Sequence, residues 1–162
     1  MAEDLWFTMG KIPARLPAGI LYAKNHMWAR PEIGPDGNRL LRHGFTHYAI
    51  LLMKDVYFLE WNISEGDPVT LSQEIGHIET SKAESGLYCP APGTLVRFNA
   101  SLLDDPSAIN TDGYGSGWLF DLDAPDTGYM NAEQYLKYLS DNWEKTQAML
   151  KGKMNQIEDD ES

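Results

Sequence analysis

The residues best suited to chemistry lie in one stretch, Glu74 to Pro92, where an isoleucine-rich run gives way to a short polar segment centred on Lys82. An apolar run resumes at Leu87, so the pattern predicts a β-hairpin with Lys82 exposed at its tip. A lysine in that position can hold a flexible prosthetic arm, because the tip is accessible to a modifying enzyme and the strands fix where the arm begins. On spacing alone, a solvated turn lysine is the simpler interpretation.

Other reactive patterns are weak. The single thiol, Cys89, lies within a predicted strand and is expected to be a buried apolar side chain rather than a nucleophile. His43 and His47 flank a predicted strand-to-helix junction with no nearby acid, so we expect no metal site there. The glycine-rich run 113–117 lacks the lysine of a phosphate-binding loop and is expected to form turns. The sequence therefore predicts no catalytic residue and no metal ligand.

Composition limits the class of protein. The chain has 162 residues, 43% of them hydrophobic and 11% aromatic, which is enough apolar surface for one folded domain. The net charge of −11 disfavours nucleic acid and anionic membranes as partners. One cysteine, with no signal peptide or membrane-spanning run, predicts a cytoplasmic protein.

The elements that must position Lys82 are mostly short strands. Runs of β-forming residues between turn signals predict an all-β sandwich or barrel over residues 20–123. The predicted strands are Ile20 to Tyr22, His26 to Pro31, Arg39 to Phe45, Val56 to Trp61, Pro68 to Leu71, Glu74 to Thr80, Leu87 to Pro90, Gly93 to Phe98 and Gly117 to Leu122. The hydroxyl of Thr46 predicts an N-cap for a short helix over residues 48–53.

The two ends of the chain follow other patterns. Residues 1–19 show no sustained period and contain two prolines, which predicts an irregular arm. A connection from residue 124 leads to a C-terminal helix that begins with the capping pair Asn131 and Gln134 and whose apolar pattern runs to Met154. We take 124–156 as connection and helix, and 157–162 as a solvated acidic tail.

Several segments resemble the glycine cleavage system H protein family. Ile78-Glu79-Thr80-Ser81-Lys82-Ala83-Glu84-Ser85, followed by Tyr88 and Pro90, is similar to its lipoyl-attachment segment. Tyr22 to Trp28 is similar to the family's first-strand signature, Gly44 to Ala49 to its strand-helix junction, and Asp55 to Glu60 to the strand that follows. The glycines Gly66 and Gly93 match its turn glycines. The family's closing pattern is matched, in order, by Asn99, Leu102, Pro106, Ile109, Asn110, Tyr114, Gly117 and Trp118. The resemblance covers Ile20 to Asp121.

The resemblance implies a fold, a cofactor and a role. The fold is a barrel-sandwich hybrid of antiparallel strands with a short inserted helix and a C-terminal helix. Lipoate would be attached to Lys82 through an amide, and Glu79 would help the lipoylating enzyme to recognise the hairpin. The protein would be a carrier rather than an enzyme, moving the aminomethyl group of glycine from a pyridoxal-phosphate glycine decarboxylase to an aminomethyltransferase, with dihydrolipoamide dehydrogenase reoxidising the arm.

Three positions depart from the family pattern and keep alternatives open. Where family members hold the loaded arm with polar groups, this chain has Met27, Leu52 and Gly86, although Glu84 could replace one group. We therefore expect a loosely held arm beside an apolar surface formed by Met27 and Leu52. One alternative is an H-like lipoate-binding protein that carries a sulfur intermediate to a heterodisulfide-reductase-like complex. Another is an unlipoylated interaction module that docks a partner through its C-terminal helix.

Overall fold

Strands dominate the structure, a computed structural model that describes residues 3–161 and the side chains of residues 3–149. The elements are β1 (Leu5–Met9), β2 (Ile12–Leu16), β3 (Leu21–Tyr22), β4 (Met27–Ile33), β5 (Arg39–Phe45), α1 (His47–Met53), β6 (Val56–Trp61), β7 (Pro68–Val69), β8 (Glu74–Thr80), β9 (Glu84–Tyr88), β10 (Gly93–Phe98), α2 (Ser101–Asp104), α3 (Ala108–Thr111), β11 (Phe120–Asp123) and α4 (Ala132–Glu161). The predicted strand runs are confirmed as β3 to β11, with small shifts at their ends.

Two antiparallel sheets enclose the main core. The larger has the strand order β3-β4-β5-β11-β10-β7, and the smaller, which contains the Lys82 hairpin, has the order β6-β8-β9. Apolar side chains from both sheets are buried together, including Leu95 and Leu122 from the larger sheet and Ile78 and Leu87 from the smaller. Such alternating burial, with polar residues outward, is expected of a sheet with one face in the core. The predicted mainly β barrel-sandwich hybrid is confirmed.

The N-terminal segment is not the irregular arm predicted from the sequence. Strands β1 and β2 form a two-stranded antiparallel hairpin with the register Leu5↔Leu16. Gly10 makes the turn with a φ of 67°, a conformation that glycine adopts without steric cost. Pro13 is tolerated because both strands of a two-stranded sheet are edges, where a missing N–H need not disturb a second ladder.

A second core joins this hairpin to the C-terminal helix. Its buried members are Phe7, Ala14, Leu16, Tyr22, Trp28, Tyr48, Ala132, Tyr135 and Leu139. The ring of Tyr135 stacks on Tyr22 at 4.7 Å between centroids, and Phe7 contacts Trp143 edge to face at 5.4 Å. Burial of this apolar stripe holds α4 against the domain, which an isolated helix would not achieve by propensity alone.

Side-chain hydrogen bonds cap the N-termini of both predicted helices. The Asn131 side chain accepts from the Gln134 N–H and the Gln134 side chain accepts from the Asn131 N–H, each at 2.8 Å, which confirms the capping pair. Thr46 caps α1 by accepting from the Ala49 N–H at 3.2 Å.

The C-terminal helix ends later than predicted. Helix α4 continues through Glu161, beyond Met154 and through the segment expected to be an acidic tail, because no proline interrupts it. The chain around Pro106 forms two single-turn helices, α2 and α3, one on either side of that proline.

Candidate functional site

Lys82 lies at the exposed tip of the hairpin formed by β8 and β9, as predicted. The pairs Glu79↔Glu84 and Ile78↔Ser85 close the ladder, so β9 begins at Glu84 rather than at Leu87. The loop between the strands is therefore only residues 81–83. A short loop between paired strands leaves the lysine accessible while limiting the movement of its backbone.

The Thr80 hydroxyl organises this loop. It accepts hydrogen bonds from the backbone N–H groups of Lys82 and Ala83, each at 3.2 Å, and donates to the Ala83 carbonyl at 3.1 Å. The Thr80 N–H also donates to the Ala83 carbonyl, at 2.9 Å. These bonds satisfy the loop backbone locally, an ST-turn arrangement that holds the tip in one conformation.

A second set of bonds ties the tip to the neighbouring chain. The Ser81 N–H donates to the Asp55 carbonyl at 2.9 Å, and the Asp55 N–H donates to the Ser81 hydroxyl oxygen at 3.2 Å. Asp55 directly precedes β6, which is paired with β8. The hairpin tip is therefore anchored on two sides, and the base of the Lys82 side chain has a fixed position relative to the barrel.

The outer face of the smaller sheet is acidic next to this tip. Cross-strand pairing places Phe58 and Glu60 of β6 beside Glu79 and His77 of β8, and Glu79 beside Glu84 of β9. The Glu79 side chain is 43% exposed, so its carboxylate is available to a visiting enzyme. An exposed carboxylate three residues before the lysine fits the recognition role predicted for Glu79.

The geometry of Lys82 fits an attached acyl group. Amide formation needs an accessible amine that is not held by a carboxylate, and Lys82 is exposed. Among the described side chains, no acidic group forms an ion pair with it. The hairpin therefore meets the steric requirement for lipoylation.

The three departures from the family pattern do not form one surface. Met27 is only 2% exposed and packs inside the barrel core, whereas Leu52 packs against the second core, beside α4. The expected apolar lining beside Lys82 is therefore wrong for Met27. Gly86 lies on β9 opposite His77, where a Cβ would approach the Tyr88 hydroxyl to 2.9 Å.

The remaining candidates from the sequence are structural. Cys89 is buried, its thiol donates to the Ala91 carbonyl at 3.1 Å, and burial raises the pKa of that thiol. His43 is fully buried and hydrogen-bonds to the Tyr129 hydroxyl at 2.7 Å, whereas His47 Nδ1 accepts from the Arg15 N–H at 2.8 Å. The two histidines therefore have separate partners and form no shared site.

The sequence placed Thr80 and His77 in this region but assigned neither of them a role. The signal for Thr80 was its position two residues before Lys82, where a hydroxyl can bond the loop backbone. The signal for His77 was its spacing of two from Glu79, which places both side chains on one face of a strand.

Comparison with known proteins identifies the family. The model of the family described as "Glycine cleavage H-protein" matches residues 20–149. The chain belongs to this family. A glycine cleavage system H protein of Alteromonas mediterranea is 36% identical over 75% of this chain and 94% of its own length, and one of Pseudoalteromonas translucida is 34% identical over 80% and 99%. The crystal structure of a glycine cleavage system H protein from Mycobacterium marinum superposes with a TM-score of 0.65 at 30% identity, covering 77% of this chain and 99% of that one.

Family membership decides between the two carrier functions left open by the sequence. The family is the lipoate-bearing carrier of the glycine cleavage system, and the matches support that role rather than sulfur transfer. In the part of the chain that the structure describes, no helix is long and apolar enough to cross a membrane.

Proposed function

We propose that this chain carries lipoate in amide linkage on Lys82 and is a non-catalytic carrier of the aminomethyl group of glycine. The observation that supports the proposal is the position of Lys82, exposed at an anchored hairpin tip within the segment that matches the family. When bound, the dithiolane of lipoate supplies a sulfur that can accept and release the aminomethyl group.

The partners we propose follow from that cargo. They are a pyridoxal-phosphate glycine decarboxylase, a tetrahydrofolate-dependent aminomethyltransferase, dihydrolipoamide dehydrogenase and a lipoylating enzyme. The residues of this chain act by position: the Thr80 hydroxyl and the Ser81–Asp55 bonds hold the base of the arm, and Glu79 is presented to the lipoylating enzyme. We also propose a cytoplasmic location, since the single thiol, Cys89, needs no oxidising compartment.

Intact-mass measurement tests the attachment site. The full unmodified chain would be incubated with a lipoate-protein ligase, ATP and lipoate. We expect one lipoyl addition to the wild-type chain and to Lys24→Arg, which alters an exposed lysine outside the hairpin, and none to Lys82→Arg. Arginine keeps the positive charge but is not an acceptor for the acyl group. A lipoyl addition that persists in Lys82→Arg would refute the assignment.

The rate of the same reaction tests Glu79. Removing a charged hydrogen-bond acceptor from a protein contact costs about 1.5–3 kcal/mol, so we expect Glu79→Gln to be lipoylated about 10-fold more slowly or worse. Glu60→Gln is the matched control, because Glu60 is an exposed carboxylate on the neighbouring strand β6. Equal rates for the two variants would show that Glu79 has no special part in recognition.

A further inference from the structure

The outer face of the smaller sheet brings one imidazole and two carboxylates together beside the hairpin tip. His77 and Glu79 lie two residues apart on β8, and Glu84 lies directly opposite Glu79 on β9. One ligating atom from each of the three side chains lies within 4.8 Å of the others. We call these three residues the His77 cluster.

The distance between His77 and Glu79 also matches that between two ligands of one metal ion. His77 Nε2 and Glu79 Oε1 are 3.4 Å apart, which is longer than the roughly 2.7–3.2 Å of an ordinary N–H···O bond. Two ligands of a tetrahedral ion with bonds of about 2.1 Å are separated by roughly 3.4 Å. The ligand atom of Glu84, on an exposed side chain, lies within 4.8 Å of both of these atoms.

No lysine or arginine among residues 3–149 neutralises the two carboxylates of the cluster. Glu79 and Glu84 are like charges directly opposite each other in a ladder, an arrangement that is unfavourable without a cation. Among residues 3–149, neither carboxylate forms an ion pair with a lysine or an arginine. Gly86 lies opposite His77 on β9, and the carboxyl carbon of Glu74 is 3.2 Å from the position that a Cβ on Gly86 would occupy. Glu74 therefore adds a further negative group to this face.

His77 is also partly exposed, and it lies beside the two carboxylates of the cluster. The other three imidazoles hydrogen-bond elsewhere in the protein: His26 to the Tyr135 hydroxyl, His43 to the Leu41 carbonyl and Tyr129, and His47 to the Arg15 N–H. His77 is about one-third exposed, and its hydrogen-bond partner is Glu79. The His77 imidazole is therefore placed to bind a metal ion together with the carboxylates of Glu79 and Glu84.

We propose that His77, Glu79 and Glu84 bind one divalent transition-metal ion of the Zn²⁺ type, with water completing its coordination. A mixed set of imidazole and carboxylate ligands suits zinc and its neighbours, whereas Mg²⁺ and Ca²⁺ prefer sites made only of oxygen. Metal binding would leave the Lys82 amine uninvolved, but it shares Glu79 with the recognition role proposed for lipoylation, so the variants that test it are at His77 and Glu84 instead.

Calorimetric titration of the full unmodified chain with Zn²⁺ tests the site. We expect one ion per chain in the wild type, and an affinity at least about 10-fold lower in both His77→Ala and Glu84→Gln. Glu144→Gln, which alters an exposed carboxylate on α4, is the matched control and should bind as the wild type does. Wild-type affinity in both cluster variants would overturn the proposal, as would the absence of saturable binding.

Two further readouts keep the test specific. Circular dichroism of each variant establishes that it is folded, as expected for substitutions of partly exposed side chains. In ¹⁵N spectra of histidine-labelled wild-type protein, Zn²⁺ should shift the His77 imidazole signals, and a shift confined to another histidine would contradict the site. Displacement of Zn²⁺ by an equal concentration of Ca²⁺ would contradict the proposed class of metal. Because Lys82 is unmodified throughout, failure here leaves the lipoylation test unaffected.

Discussion

At the residue scale, the Lys82 loop depends on one hydroxyl. Thr80 accepts two backbone N–H groups of the loop and donates to a third backbone atom, so Thr80→Val removes three bonds while keeping the β-branched shape. Without these bonds the free loop is less ordered, so its binding to the lipoate-protein ligase must order it at a net cost of about 1 kcal/mol. That cost corresponds to about fivefold slower lipoylation. Timed intact-mass measurements should show this for Thr80→Val and not for Thr94→Val, an exposed strand threonine on β10. Equal rates would mean that the loop orders without the hydroxyl.

His26 provides a residue-scale prediction about pH. It lies in a left-handed conformation at φ 68°, and its Nδ1 is 2.9 Å from the Tyr135 hydroxyl of α4. Burial lowers the pKa of His26 to about 4 from its ordinary 6.5. The unfolded chain therefore binds this proton more readily than the folded one, and stability falls as pH decreases from about 6.5 to about 4.

The variant His26→Asn isolates this contribution. Asparagine tolerates the left-handed backbone and does not titrate, so we expect a smaller loss of melting temperature between pH 6.5 and pH 4 than in the wild type. His43 retains its own contribution in both proteins, since burial lowers its pKa to about 4 as well. Parallel melting curves with the same pH dependence would contradict the assignment to His26.

At the element scale, α4 is held by a few buried side chains. Leu139 is 1% exposed in the second core, whereas Met149, on the same helix, is 60% exposed. We expect Leu139→Ala to lower the free energy of unfolding by about 2–5 kcal/mol, through lost burial and the remaining cavity. Met149→Ala should stay within about 0.5 kcal/mol of the wild type. Denaturant unfolding measures both, and a small effect at Leu139 would show that α4 is not part of the cooperative fold.

The same elements show what the sequence could predict. The strands β3 to β11 were predictable because they are short runs of β-forming residues between turn signals. The hairpin of β1 and β2 was not, because Pro13 suggested a break and its pairing depends on packing against α4 through contacts such as Phe7 with Trp143. The residue pattern placed Lys82 at a hairpin tip and the family resemblance gave it a role, but only the register Glu79↔Glu84 revealed the His77 cluster. Sequence spacing reports neighbours along a strand and does not report those across it.

At the scale of the whole molecule, net charge shapes encounters with partners. A carrier with a charge of −11 that visits several enzymes benefits from steered, weak association, and this steering is screened by salt. We expect turnover with the proposed decarboxylase to weaken as ionic strength rises from about 0.01 to 0.15 M, while the Debye length falls from about 30 to 8 Å. Sucrose at matched osmolarity is the control. Kinetics that do not change with salt would count against electrostatic steering.

The measurement that bears most directly on the carrier role is glycine-dependent ammonia release in a reconstituted system. The mixture would contain the decarboxylase, the aminomethyltransferase, tetrahydrofolate, glycine and the chain after treatment with a lipoate-protein ligase. We predict ammonia release with the wild-type chain and none above background with Lys82→Arg, because the arm can be attached only at residue 82. If the lipoylated wild-type chain released no more ammonia than Lys82→Arg, the proposed carrier function would be contradicted.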